Sequence, residues 1–192
     1  MREVELSGDG RKCAALCCVA LSFDRSDHFG CDKAANTPCR HLTAQHDCAL
    51  HDDLPGHGFA GCAHYDCVGA GQRVVQELFG GRSWRTAPHL TRAMLDAFRA
   101  LRDVHELLVL LDAAKRLPLS PAQHARRREL WSALVPDTLT HDTLSALARH
   151  APHVFDFVRS LRPLVPTRHL PVVTVRPPCA SCAPGPPHTS HA

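Results

Sequence analysis

Cysteine placement constrains this chain more than any other feature. Of ten cysteines, eight fall between Cys13 and Cys67, none falls between Val68 and Pro178, and two close the chain as Cys179-Ala-Ser-Cys182. A domain that buries cysteine as a small hydrophobe scatters it through its helices as well. Clustering of this kind points to cross-linking or metal ligation. The compartment decides between them, because disulfides persist in oxidising places and are rare in the cytosol. The stretch Cys13-Ala-Ala-Leu-Cys-Cys-Val-Ala-Leu-Ser-Phe23 follows Arg11-Lys12 and has the look of a short secretory core. Glu3, Glu5 and Asp9 put acid into that leader, no Ala-x-Ala site follows, and cleavage there would discard the densest cysteines. The expectation is therefore a cytoplasmic protein that uses its thiols for metal.

Composition narrows the field. Net charge is +3 with His neutral, too weak a bias to imply nucleic acid, and no basic run carries interleaved aromatics. Arg126, Arg127 and Arg128 form the one basic cluster, read as a solvated helix face. No apolar run approaches the ~20 residues of a membrane span. Neither a nucleic acid nor a membrane is expected as partner. Abundant Arg and Ala over Lys reads as a GC-rich bacterial genome.

Three zones are visible. Residues 1 to about 85 are rich in Cys, His, Gly and Asp with poor periodicity, which predicts loops and short helical turns. Such a segment buries little apolar surface and needs staples to hold one shape. Residues 86 to 165 read as a small helical bundle. Leu90, Met94, Leu95, Phe98, Leu101, Leu108 and Leu111 recur at three- and four-residue steps, predicting a helix of about 29 residues between Pro88 and Pro118. His105 is expected half-buried on it; with Val109 where a zinc protease needs its second His, His105-Glu106 is not a protease motif. Ser120, Pro121 and Gln123 form a start signal for a helix to about Val135, Thr140 caps a third, and Pro152 opens a fourth with Val154, Phe155, Val158 and Leu161 inward. Residues 166 to 192 are Pro-rich and expected to be extended or flexible after a short strand at 172–175. The fold class expected is mainly α, an irregular Cys-rich metal-binding module packed on a helical bundle.

Spacing within the first zone carries the chemistry. Cys13-x3-Cys17-Cys18 comes first, then Pro38-Cys39-Arg40-His41-Leu42, then Cys48-x2-His51, then Cys62-x4-Cys67. Thiolates are soft donors suited to zinc, iron and iron–sulfur clusters, and a tetrahedral site needs four of them. Cys13 and Cys17 lie one helical turn apart and can face one side. Cys17 and Cys18 are expected to diverge, one serving a second site or burying as a thiol. The candidate metal ligands are Cys13, Cys17, Cys18, Cys39, Cys48, Cys62 and Cys67, with Cys31 and His51 in reserve and Cys179 and Cys182 as a tail chelator. His41, His46, His57 and His64 read as solvated. Asp66 reads as a turn residue, with orientation of a ligand as the sharper alternative. Gly69-x-Gly71 is a backbone turn, since it lacks the third glycine of a dinucleotide fingerprint.

These segments resemble the YkgJ-type cysteine-cluster family, a family of zinc- or iron-chelating domains. Cys13, Cys17 and Cys18 match its opening, Pro38-Cys39 with Leu42 its second segment, Cys48-Ala-Leu50-His51 its third, and Cys62 with Cys67 its close. A fuller likeness runs over residues 10 to 165. Gly58-Phe-Ala-Gly-Cys62, Tyr65-Asp66-Cys67, Phe79-Gly-Gly with Trp84-Arg85, and Val104-His105-Glu106-Leu107-Leu108 are similar to the leader region of actinobacterial pentapeptide-repeat proteins. The pentapeptide repeats themselves do not follow. Gly10 stands where the resemblance expects its first cysteine, and Cys31 is extra to the pattern. The resemblance implies a chain that chelates zinc or iron. An iron–sulfur redox protein or metalloenzyme is the first alternative. A metal-stabilised adapter that binds a protein partner through its helices or Pro-rich tail is the second.

Overall fold

The computed structural model describes residues 2–165; the Pro-rich tail, its expected strand and Cys179 and Cys182 lie outside the described residues. Seven helices are present among them: α1 (Leu16–Ala20), α2 (Ala60–His64), α3 (Ala70–Arg73), α4 (Thr91–Ala113), α5 (Pro121–Leu134), α6 (His141–Leu147) and α7 (Ala151–Ser160). A π turn, Val74–Leu78, extends α3, and 3-10 turns flank α4 at Pro88–Leu90 and Ala114–Arg116. No strand longer than an isolated bridge occurs among the described residues. The chain is mainly helical, and none of these helices is long and apolar enough to cross a membrane.

α4 is the axis of the core. Met94, Leu95, Phe98, Leu101, Leu108 and Leu111 are all fully buried, and each contributes on the order of 1.5–3 kcal/mol by leaving water. α1, α3, α5, α6 and α7 all pack against α4. Its apolar stripe therefore serves helices of both zones at once.

Capping sets the other boundaries. Ser120 Oγ accepts from the Gln123 N–H at 3.3 Å, and Gln123 Oε1 accepts from the Ser120 N–H at 2.8 Å. Thr140 and Thr143 make the same reciprocal pair ahead of α6. These bonds satisfy amide groups that a helix N-terminus leaves orphaned. Ser120→Ala is expected to cost about 1 kcal/mol, read as a lower urea midpoint at unchanged slope. An unchanged midpoint would show that α5 does not depend on its cap.

Two expectations need correction here. Phe155 is 48 % exposed, and Phe157 takes its place beside Val154 and Leu161 in the core. Residues 154, 157 and 161 lie on one helical stripe, and 155 is rotated about a quarter-turn from it. Arg127 is buried at 6 % exposure, while Arg126 and Arg128 stay in solvent. Arg127 shares the inward face of α5 with Leu130, Trp131 and Leu134.

The first zone splits in two. Residues 14–20 and 67–79 contribute Leu16, Val19, Ala70, Val74 and Phe79 to the same core as α4 to α7. Between residues 21 and 66 only Cys31, Lys33 and Phe59 are buried. That loop layer is held instead by cross-links of polar backbone. Phe23 pairs with Lys33 and Leu42 with Cys48 across isolated bridges. Arg85 donates to the Thr43 carbonyl, and the Gly61 N–H to the His28 carbonyl at 3.0 Å. The junction at residue 68 is strained. Val68 has φ +47, a left-handed conformation that a β-branched residue rarely takes. Gly69 follows at φ +82 and starts α3, with the Glu5 carbonyl only 2.2 Å from where a Cβ would stand. Only glycine fits there.

Candidate metal centre

α1 is the hub of the cysteine layer. Ala14 and Ala15 are left-handed at φ 48 and 52, and they reset the chain so that Leu16 and Val19 enter the core. Cys17, packed against the edge of that core, and Cys18 are left half-buried. Their sulfurs stand 3.9 Å apart. The expected divergence does not occur, because on a single five-residue turn both short side chains lean toward the same flank. Two thiolates on one tetrahedral metal, at bonds of about 2.3 Å, are separated by about 3.8 Å. The pair therefore already has the spacing of two ligands of one ion.

Backbone bonds bring the later cysteines to α1. The Cys39 N–H donates to the Cys18 carbonyl at 3.0 Å, and Leu42 N–H donates to the Cys39 carbonyl at 3.0 Å. Leu42 in turn bridges to Cys48. Cys48 and His51 share one turn, as the spacing predicts, with the His51 N–H on the Cys48 carbonyl at 3.1 Å and the imidazole exposed. Cys62 sits in α2, and Cys67 follows at the foot of α3. Cys31, buried, lines a cavity of about 210 Å³ together with Lys33 and Cys39. All eight cysteines from 13 to 67 are unpaired thiols. Gly10 accepts from Cys13 Sγ at 3.5 Å, and no atom lies within 4 Å of where its Cβ would stand.

Lys33 is the residue that sequence reasoning missed. It is buried at 9 % exposure. Its ammonium donates to the carbonyls of Val19 and Ala34, each at 3.2 Å, and to that of Leu21. It thus caps the C-terminal end of α1, where a cation is favoured. Burial pulls its pKa down, and the thiolate charges of Cys39, Cys18, Cys17 and Cys62 push it back up. The available signal was its rarity: Lys33 is one of three lysines in an Arg-rich chain, and it lies two residues after Cys31.

The thiols are tuned unequally. A hydrogen bond from the Cys17 thiol brings Cys18 down to about 7, against burial and with help from Lys33. The same bond pushes Cys17 well up. Burial raises Cys62 to about 11, assisted by the charges of Cys18, Cys39, Cys48 and Cys31. Cys13 is raised, first by burial. Protonated thiols do not ligate, so a metal ion has to displace protons from most of this set. Among the described residues no three His, Cys, Asp or Glu side chains stand close enough to hold one ion between them. The donor chemistry suits a soft or borderline metal; ligation requires the sulfurs beyond the Cys17–Cys18 pair to draw in.

The histidines and Asp66 fall mostly to structural roles. His57 and His64 are exposed and hydrogen-bond through Nδ1 to the Asp53 and Ala60 carbonyls. His41 and His46 are half-buried rather than solvated, set edge-on against Phe59 and Trp84. Asp66 Oδ1 accepts from the N–H of Val68 at 2.7 Å and of Gly8 at 3.1 Å. It is a turn residue that also ties down the N-terminal segment.

His105 is fully buried, not half-buried. Its Nδ1 meets the Val68 carbonyl and its Nε2 meets Arg73 Nη1 at 3.2 Å. Arg73 makes two bonds to Glu77, at 3.1 and 3.3 Å, and Glu77 is reached by Arg2 at 2.9 Å. This network joins α4 to the strained residue at the foot of the cysteine layer.

No family model matches the chain, and no solved structure matches it. Over 130 residues the chain is 40% identical to the uncharacterized protein YybG of Bacillus subtilis (strain 168), a stretch that is 68% of this chain and 47% of that protein. The chain spans about half the length of this relative.

Proposed function

We propose that the chain is a metal-binding protein whose cysteine layer chelates zinc or iron, with the metal serving a structural or regulatory role. The observation that carries this reading is the contrast within residues 21–66. Those residues bury only Cys31, Lys33 and Phe59, yet they carry four cysteines, and the Cys39 N–H is bonded to the Cys18 carbonyl of α1 at 3.0 Å. A layer without its own apolar core needs cross-links, and thiolate–metal bonds supply them in small domains. The Cys17–Cys18 spacing of 3.9 Å and the buried cation of Lys33 support it. So does the resemblance of these segments to YkgJ-type chelating domains. Unpaired thiols in this number fit a reducing compartment, which is why the cytoplasm is the proposed location.

The test is elemental analysis with a visible spectrum on full-length protein purified without oxygen. Stoichiometric zinc or iron is expected. A chelator is then expected to abolish hydrogen-exchange protection at Phe23, Lys33 and Cys39, while α4 to α7 keep theirs. A colourless protein with zinc rejects the iron–sulfur alternative, and brown protein with charge-transfer absorption favours it. Metal at trace level, with the loop amides still protected in chelator, overturns the proposal.

A further inference from the structure

We infer that Arg127 is the receptor of an anion-binding site on the helical bundle. Its ligand is an oxyanion, a phosphate or a carboxylate group, that ion-pairs with the guanidinium. The site lies on α5 and is independent of the cysteine layer, so it stands or falls apart from the metal reading.

The starting observation is a charge without a partner. Arg127 is only 6 % exposed. Its Nε and Nη1 are both closed off from solvent, and neither has a hydrogen-bond partner. Arginine stays charged in proteins, so burial does not neutralise it. A buried charge left unpaired is among the most costly arrangements a core can hold. Buried polar groups are otherwise nearly always satisfied, and an exception calls for a ligand, an ion or a water.

The helices around it hold no carboxylate in reserve. α5 packs on α4, on α7 and on the turn at Ala148–His150. On α4, Asp96 pairs with Arg92 and Arg99, Asp103 and Glu106 with Arg102, and Asp112 with Lys115. On α5, Glu129 is taken by Arg126, and on α7 Asp156 is taken by Arg159. The turn carries no acid. Every carboxylate on these elements is thus matched to a cation other than Arg127. Residues 115–165 also carry eight Lys and Arg against four Asp and Glu. This part of the chain is left basic, which favours an anion from outside it.

Neither ordinary role of a buried arginine fits. An arginine that only covers apolar surface lays its stem down and carries its head into water. Here the head itself is enclosed, at Nε and Nη1. An arginine that serves packing shares its face with groups it bonds, yet Arg127 shares its face with Leu130, Trp131 and Leu134. A methionine or leucine would fill that place without a charge. What the guanidinium adds is a set of N–H donors whose geometry matches the oxygens of a carboxylate or phosphate. Enclosure strengthens such a pair relative to one at the surface. The side chain is not sealed, so an anion has a route to it.

The experiment is urea unfolding of the full-length protein and of Arg127→Met, in buffers of equal ionic strength containing chloride, inorganic phosphate or acetate. In chloride the variant is expected to have the higher midpoint, because it loses an unpaired buried charge and keeps a similar volume. Phosphate or acetate is expected to raise the wild-type midpoint more than the variant's, since only the wild type gains a ligand on folding. The general stabilising action of phosphate falls on both proteins and cancels in the comparison. The anion with the larger difference identifies the source, a phosphate group or a carboxylate. A variant that is less stable than wild type in chloride, or that fails to fold, shows that Arg127 serves the fold and overturns the inference. Equal shifts in the two proteins with both anions overturn it as well. In none of these outcomes does the metal content of the cysteine layer enter.

Discussion

Arg73→Met is expected to destabilise the chain by about 2–3 kcal/mol, because it orphans a buried imidazole and breaks an ion pair whose carboxylate stays partly in water. Arg73 is 4 % exposed and hydrogen-bonds both Glu77 and His105. Methionine fills a similar volume, so packing is largely kept. What is lost is the two-point grip on the Glu77 carboxylate and the donor to His105 Nε2. The imidazole nitrogen is then left in the core with no partner, which is itself worth about 1–3 kcal/mol. Arg2 still reaches Glu77 at 2.9 Å and moderates the loss of the carboxylate's partner. Arg73→Lys is expected to fall between, because an ammonium cannot bond both carboxylate oxygens and the imidazole in the fork geometry of a guanidinium. Urea unfolding of the full-length protein measures both. A methionine variant within 1 kcal/mol of wild type would show that the network only decorates the core.

That network marks the limit of what the sequence made legible. The helices from 88 to 161 could be read directly, because three- and four-residue spacing and Ser-Pro-x-Gln or Thr caps are local signals. The cysteine segments were legible as spacings for the same reason. Their grouping was not. It depends on Ala14, Ala15 and Val68 taking left-handed backbone, and nothing in an alanine or a valine announces that. Lys33 was missed and His105 misjudged on similar grounds. Their partners are mainly carbonyls of Val19, Leu21, Ala34 and Val68, groups every residue carries and no motif displays. Arg127 and Phe155 exchange their expected environments for a simpler reason. Residue type predicts burial less well than the angular position on a helix.

Stability is also expected to fall by about 3 kcal/mol between pH 7 and pH 4 through His105 alone. Burial holds this imidazole at about 4, against an ordinary value of 6.5; Arg73 pushes in the same direction, and the Val68 carbonyl and Glu77 oppose it. Because the folded value lies below the unfolded one, the unfolded chain binds the extra proton first. The contribution is therefore complete above about pH 6.5, and it is lost as pH falls toward the folded value of about 4. The neutral ring donates from Nδ1 to the Val68 carbonyl and accepts from Arg73 at Nε2. Protonation turns that acceptor into a donor facing a guanidinium. Other groups titrate over the same range, so the limb has to be read as a difference. His105→Asn keeps an N–H for the Val68 carbonyl but does not titrate. It is expected to be less stable than wild type at pH 7, with most of that gap closed at pH 4. A gap of equal size at both values would mean that His105 does not titrate on unfolding. The strained turn at Val68, between Cys67 and α3, would then have to be held against acid by the cysteine layer rather than by the helix beneath it.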